Sequence, residues 1–155
     1  MKLTIIAIGK KNDINISKAI EDYSKRIQHK YRLDWQIILP SGKSEQIARQ
    51  EESAKIINRI KPNNIVWLLD EHGENISSPG LASKLIQTES TSKNLTIIIG
   101  GAYGVSEDLI KKADFVWSLS KLVFPHQLVR LILTEQLYRA CEINRGSHYH
   151  HSLAS

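Results

Sequence analysis

The stretch that decides the fold is Ser118–Ala140, SLSKLVFPHQLVRLILTEQLYRA. It begins as a short polar-apolar loop, meets Pro125, and becomes the longest strongly apolar helical pattern in the chain. Proline suits the first turn of a helix, where the missing N–H has no intrahelical partner to lose. At 100° per residue, Val129, Leu133, Leu137 and Ala140 share one face, and Leu128, Leu131, Ile132 and Tyr138 form a second. A surface helix needs only one apolar stripe. Two faces fit either a helix wrapped on both sides by its own domain or one shared between the core and a second subunit.

Upstream of this helix the chain alternates strands and helices. Lys2–Gly9 reads as a buried strand, and Ile16, Ala19, Ile20, Tyr23 and Ile27 recur at helical spacing. Leu33–Leu39 is a second strand, closed by Pro40 and Gly42. Ile47–Ile60 is a charged helix broken by Lys61-Pro62-Asn63-Asn64. Ile65–Leu69 is a third strand ending in the polar turn Asp70-Glu71-His72-Gly73. Ser78 as cap, with Pro79 in the first turn, opens a helix to about Gln87. Leu95–Ile99 is a fourth strand running into Gly100-Gly101-Ala102-Tyr103-Gly104, then a short helix over Ser106–Ala113 and a fifth strand over Phe115–Leu119. This order predicts an α/β fold: a mostly parallel sheet with helices on both faces. Residues 1–155 show no repeat or linker and read as one domain.

Composition narrows the class. A chain of 155 residues with 41% hydrophobic content can bury a core unaided. No stretch reaches membrane-spanning length, and MKLTIIAIGKKND reads as a first strand rather than a leader. The lone Cys141 cannot form an intramolecular disulfide, which suits the cytoplasm. A net charge of +5 favours a polyanionic partner, although an ordinary basic enzyme has the same balance.

In open α/β sheets ligands bind beyond the carboxyl ends of the strands, which points to the loops at Leu69–Gly73, Gly100–Gly104 and Leu119–His126. GGAYG matches neither the dinucleotide fingerprint nor the phosphate-binding P-loop. It serves equally well as a tight βα turn. The tail, Arg145–His151, holds three of the six histidines. Adjacent histidines share a metal poorly, and no spaced Cys or carboxylate accompanies them, so no metal site is assigned. Tyr and His together suit stacking on, and hydrogen bonding to, an unpaired base.

IIGGAYG at 98–104, SLSKLVFPHQLVR at 118–130, EQLYRA at 135–140 and RGSHYHH at 145–151 together resemble the bacterial RlmH family from end to end. These are SPOUT-class methyltransferases acting on a pseudouridine of large-subunit ribosomal RNA. The resemblance implies a C-terminal trefoil knot, S-adenosylmethionine as cofactor, and a homodimer whose partner subunit helps complete the site. Matched by motif, it implies cofactor contacts from Leu69, Gly100, Gly101, Leu119, Ser120, Lys121, Leu122, Val123 and Phe124. It further implies substrate or catalytic roles for Arg139, Tyr149 and His150, with the ribosome or its large-subunit RNA as partner. His150 is the candidate base by residue type. Arg139 would steady a developing anion or hold a phosphate. The segment His151–Ser155 runs past the point where many relatives stop. A non-catalytic RNA-binding protein of the same fold is the alternative, disfavoured by an intact cofactor loop.

Overall fold

The computed structural model describes residues 1–151. Five strands form one sheet: β1 (Lys2–Ile8), β2 (Arg32–Ile38), β3 (Ile65–Asn75), β4 (Leu95–Ile99) and β5 (Phe115–Ser118). Five helices connect and follow them: α1 (Ile14–Ile27), α2 (Glu45–Arg59), α3 (Ser78–Ser90), α4 (Glu107–Lys112) and α5 (His126–Arg145). The order across the sheet is β2-β1-β4-β3-β5, and every pairing is parallel.

Period-two alternation in the strands builds two cores, one on each side of the sheet. Leu3, Ile5 and Ala7 of β1, with Leu95, Ile97 and Ile99 of β4, face a core that also holds Leu81 and Leu85 of α3 and Leu133, Leu137 and Ala140 of α5. Ile6 and Ile8 point the other way and join Ile98, Leu68, Ile56 and Leu109, beneath α2 and α4. The ladder holds Leu3 opposite Leu95 and Leu95 opposite Ile65, so these layers stay aligned across the central strands. Trp67 and Trp117 are core residues at perpendicular rings 6.1 Å apart, and Trp35 packs partly buried against the same core.

Two local expectations change. Asp70–Gly73 is not a terminal turn. β3 continues to Asn75, and Leu69 and Glu74 both pair with Trp117. The intervening residues bulge out of the ladder, which re-aims side chains near a sheet rim. Gly73 permits this because a Cβ there would sit 2.7 Å from the Val116 backbone. The cap of α3 is Ser77, whose hydroxyl accepts from the Gly80 N–H at 3.1 Å, with Ser78 and Pro79 inside the first turn.

α5 begins one residue later than expected and runs further. Pro125 is its N-cap, and it ends at Arg145 under Gly146, which takes the left-handed conformation (φ 77°). Its buried stripe is Arg130, Leu133, Thr134, Leu137 and Ala140, with Val129 only half-buried beside it. Leu131, Ile132 and Tyr138 stand half-buried on the second face, and Leu128 is exposed.

Candidate functional site

The three loops singled out in the sequence converge. A cleft of about 480 Å³ opens at the bulge of β3 and the carboxyl ends of β4 and β5, between Leu69, the Gly100–Val105 turn, the Ser118–Phe124 loop and the start of α5. The volume lies within the range of small-ligand sites. Gly101 and Gly104 close the turn on themselves, the Gly104 N–H donating to the Gly101 carbonyl at 3.1 Å. Gly104 needs its positive φ of 78°, a conformation that glycine adopts without strain.

Gly100 is glycine for a packing reason. A Cβ there would lie 2.7 Å from Val105 Cγ1, inside the protein. Across the cleft, Ser118 Oγ donates to the Ser120 carbonyl at 2.9 Å, and Ser120 Oγ accepts from the Leu122 N–H at 3.0 Å. These bonds curl the loop so that Leu122 and Val123 stand exposed at 70% and 81%. Large apolar side chains held out in water beside a cleft offer cover to a ligand with an apolar portion. Lys121 is the exception among the expected cofactor residues: it is exposed and does not line the cleft, whereas Ser120, Leu122, Val123 and Phe124 do. Asp70 and Glu71, displaced by the bulge in β3, bring two carboxylates to the rim. Apolar cover with acidic residues at the mouth fits a cationic ligand such as a sulfonium.

Arg139, Tyr149 and His150 come together, but away from this cleft. Ten residues at about 1.5 Å each place Arg139 about 15 Å further along α5 than Val129, which lines the cleft. Their organiser is Glu135, which sequence reasoning passes over. Its Oε1 accepts from Arg139 Nε at 2.9 Å, Arg139 Nη2 at 2.6 Å and the Tyr149 hydroxyl at 3.1 Å. The signal for it is an i,i+4 Glu–Arg spacing. Arg139 also lies 4.9 Å from the Tyr149 ring centroid, and Tyr138 meets that ring edge-on at 4.8 Å. The tail is therefore folded back and half-buried at Tyr149 and His150. Burial first, then its hydrogen-bonding neighbours, raises the Tyr149 pKa, so it acts as a neutral donor.

His150 Nδ1 is 3.2 Å from Arg139 Nη1. A guanidinium only donates, so Nδ1 must accept, and the ring proton of neutral His150 sits on Nε2. In this arrangement Nδ1 is engaged by Arg139, and a neutral His150 presents an Nε2–H donor. His151, at the end of the described residues, is exposed, and 152–155 lie outside them.

A second charged residue also escapes sequence reasoning. Arg130 is 1% exposed, and its Nη1 donates to the Lys10 carbonyl at 2.9 Å and to Asn12 Oδ1 at 2.7 Å. Its place in the buried stripe follows from its spacing of three and seven residues from Leu133 and Leu137. A larger cavity of about 640 Å³ lies on another face, between α1, α3 and α5, and includes Tyr31, Ile86, Tyr138 and Cys141. Its walls hold none of the strand-end loops, so it is not the cleft described above.

The comparisons with known proteins bear on this geometry. The family model described as "Predicted SPOUT methyltransferase" matches residues 1–150. The "Ribosomal RNA large subunit methyltransferase H" of Desulfotalea psychrophila is 38% identical over 97% of this chain and 99% of that protein. The protein of the same name from Clostridium novyi is 38% identical, with the same coverage. Among solved structures, a probable methylase family protein from Haemophilus influenzae superposes with a TM-score of 0.55 at 14% identity, over 97% of this chain and 70% of that one. A putative methylase family protein from Neisseria gonorrhoeae gives 0.52 at 9% identity, over 99% and 88%. These two share the fold. Matched almost from end to end by the family model and by these relatives, the chain belongs to the SPOUT methyltransferase family, beside the ribosomal RNA large subunit methyltransferase H proteins.

Proposed function

We propose that this protein transfers a methyl group from S-adenosylmethionine to the N-3 ring nitrogen of a pseudouridine in large-subunit ribosomal RNA, as a single-domain homodimer in the cytoplasm. The observation that carries the reading is the pairing of an apolar, acid-rimmed cleft at the strand ends with an Arg-Tyr-His cluster at the far end of α5. The relatives' name supports the RNA class. The pseudouridine and its N-3 position rest on the resemblance.

Leu69, Gly100, Gly101 and the Leu119–Phe124 loop would hold the cofactor, which supplies an electrophilic methyl group on a sulfonium. Their contribution is placement: in-line transfer depends on orientation more than on covalent help. Asp70 and Glu71 favour the positive charge, and Lys121 is turned out of the cleft. The Ser118–Phe124 loop and the return of α5 along the sheet, against α1 and α3, suit the threaded C-terminal segment of a trefoil knot.

Arg139, Tyr149 and His150 serve the other reactant. The ring N–H of the target must give up its proton, to solvent or a base, for methylation to occur. The anion so formed carries its charge on the uracil carbonyls until the incoming methyl group neutralises it. Arg139 and the His150 Nε2–H are donors placed for that charge, and preorganised donors are the strongest means of stabilising it. Glu135 aligns Arg139 and Tyr149. The distance of about 15 Å along α5 separates this cluster from its own cleft, which favours service to the cleft of a partner subunit. The half-buried face of Leu131, Ile132 and Tyr138, beside the cavity of about 640 Å³, suits that partner.

Mass mapping of ribosomal RNA methylation in cells lacking and regaining this protein tests the reading. A methylated pseudouridine that disappears and returns supports it, and an unchanged map would refute it.

A further inference from the structure

Next to the proposed cofactor cleft lies a second one, of about 360 Å³, between the β1–α1 loop, the β4–α4 turn and the start of α5. It shares Gly101, Ala102 and His126 with its neighbour, so an occupant of one would abut an occupant of the other. Its wall includes Arg130, whose burial is unusual in kind. A buried guanidinium is normally matched by a carboxylate. Here both bonds of Nη1 go to neutral oxygens, the Lys10 carbonyl and Asn12 Oδ1, and Nε has no partner among the described residues. Nη2 stands against Gly9, where a Cβ would lie 2.2 Å from it. Gly9, at φ 154°, is therefore kept bare to admit the guanidinium.

Three further features give the cleft the same sign. Lys10 and Lys11 stand exposed on its rim. α5 starts in its wall, and the Pro125 N-cap provides no side-chain hydrogen bond, so the first N–H groups of a twenty-residue helix lack intrahelical partners there. One carboxylate, Glu52, also lines the cleft, but its Oε2 is taken by the Ser41 N–H at 2.9 Å and its Oε1 faces Gly101. Burial disfavours the charged form of Arg130, and an anion in the cleft would relieve that cost.

We propose that this second cleft, built on Arg130 with Lys10, Lys11 and the open start of α5, binds a phosphodiester of the RNA substrate. Resting on the reading of the protein as an RNA methyltransferase, it adds where the RNA backbone would be held relative to the cofactor. A phosphate gripped here would fix the register of the strand, while the base to be modified enters the adjoining cleft. Guanidinium, lysines and helix-start N–H groups are the donors that phosphate contacts use. The methionine carboxylate of a ligand in the neighbouring cleft has related oxyanion chemistry, and the experiment separates the two.

Binding of a fluorescein-labelled ribosomal RNA hairpin, without cofactor, would be followed by anisotropy over a salt series. The unmodified protein would be compared with Arg130→Gln, Arg130→Lys and the doubly substituted Lys10→Gln/Lys11→Gln. Cofactor affinity would be measured separately by calorimetry. Loss of one phosphate contact lowers the slope of log affinity against log salt by about one. Arg130→Gln should show that drop and the double lysine variant a drop at least as large, each with weaker RNA binding and unchanged cofactor affinity, and Arg130→Lys should restore part of the loss. Because Arg130 is buried, the exposed lysine pair keeps the test decisive if Arg130→Gln does not fold. An unchanged slope and affinity in the lysine variant would overturn the proposal. So would loss of cofactor affinity with the RNA slope intact in the arginine variant, which would assign the cleft to a cofactor carboxylate. If the unmodified protein binds RNA through these residues yet binds no S-adenosylmethionine, the methyltransferase reading fails and the phosphodiester site stands.

Discussion

Glu135 and Arg139, one turn apart on α5, are joined through two guanidinium nitrogens on a single carboxylate oxygen, and that same oxygen receives the Tyr149 hydroxyl. The pair is largely enclosed, with side-chain exposures of 19% for Glu135 and 25% for Arg139, so solvent screens it little. The tail is thus fastened to the helix it follows, and the donors proposed to meet substrate are aligned by Glu135.

Glu135→Gln should separate these roles. It keeps the shape of the side chain and removes its charge, and a hydrogen bond to a charged group is worth about 1.5–3 kcal/mol. We expect a modest loss in thermal stability, unchanged cofactor affinity, and a large fall in methyl transfer to ribosomes. Normal transfer in a folded Glu135→Gln protein would show that the alignment of Arg139 is immaterial.

Gly100 needs a paired experiment. Gly100→Val would be the direct way to block the cofactor cleft, but the contact with Val105 Cγ1 means that any side chain there also strains the turn. Gly100→Ala combined with Val105→Ala restores room inside the protein while leaving a methyl group at position 100. If Gly100 matters only for packing, calorimetry should find S-adenosylmethionine affinity recovered in the double variant. Affinity that stays low in a protein of normal stability would mean that the ligand itself needs the bare backbone.

The two faces of α5 predict different failures. Leu133 is fully buried in its own core, so Leu133→Glu should unfold the chain, at a cost of about 4 kcal/mol or more. Leu131 is half-buried on the other face, so Leu131→Glu should leave a folded protein that native mass measurement finds as monomer. A Leu131→Glu protein that remains dimeric would move the interface elsewhere.

Cys141, in the wall of the α1–α3–α5 cavity, has its thiol pKa raised from an ordinary 9.0 to about 11, chiefly by burial and secondarily by Glu142. A folded-state value above the unfolded one stabilises the protein fully below pH 9.0, and that contribution fades as the pH climbs through about 11. Near neutral pH the half-buried thiol then holds about a hundredth of the thiolate of a free cysteine. Labelling by a disulfide reagent at pH 8 should be correspondingly slow and should accelerate on unfolding. Rapid labelling of the folded protein would contradict the burial.

What the chain discloses in advance follows from periodicity. Strand alternation such as Leu3-Ile5-Ala7 and helical spacing such as Ile16-Ile20-Tyr23-Ile27 are local signals, and they place all ten elements. Asp70–Gly73 misleads because polar residues after an apolar run look like a turn. Only the pairing of Glu74 with Trp117 makes them an excursion within a strand. Glu135 and Arg130 escape notice for a related reason: charged residues on a helix are expected in water. What makes them structural are partners at 14 and 120 positions' distance, Tyr149 and Lys10. The strand-end cleft is legible because the carboxyl edge of a parallel sheet is a general address. The separation of the tail from it emerges only once α5 has a length and direction.

That separation gives the last prediction. The tail cluster sits about 15 Å along α5 from its own cleft, and Tyr149 and His150 are held against α5 rather than reaching back. If a partner's cleft receives them, deletion of 148–155 should abolish methyl transfer while cofactor affinity and dimerisation persist, since none of the described residues among them lines the cleft. Mixing the deleted protein with a cleft-defective variant of intact tail, such as Leu119→Asp, then becomes informative. A heterodimer contains one sound cleft and one sound tail, on different subunits. Under the partner arrangement those two meet and some activity returns. Under an arrangement confined to one subunit they never meet, because each chain lacks one half. Activity should therefore appear on mixing and subunit exchange, at no more than one site per dimer. Mixtures that exchange subunits, as native mass measurement would verify, yet remain inactive would place tail and cleft within the same chain and would require the tail to leave Glu135 before it can act.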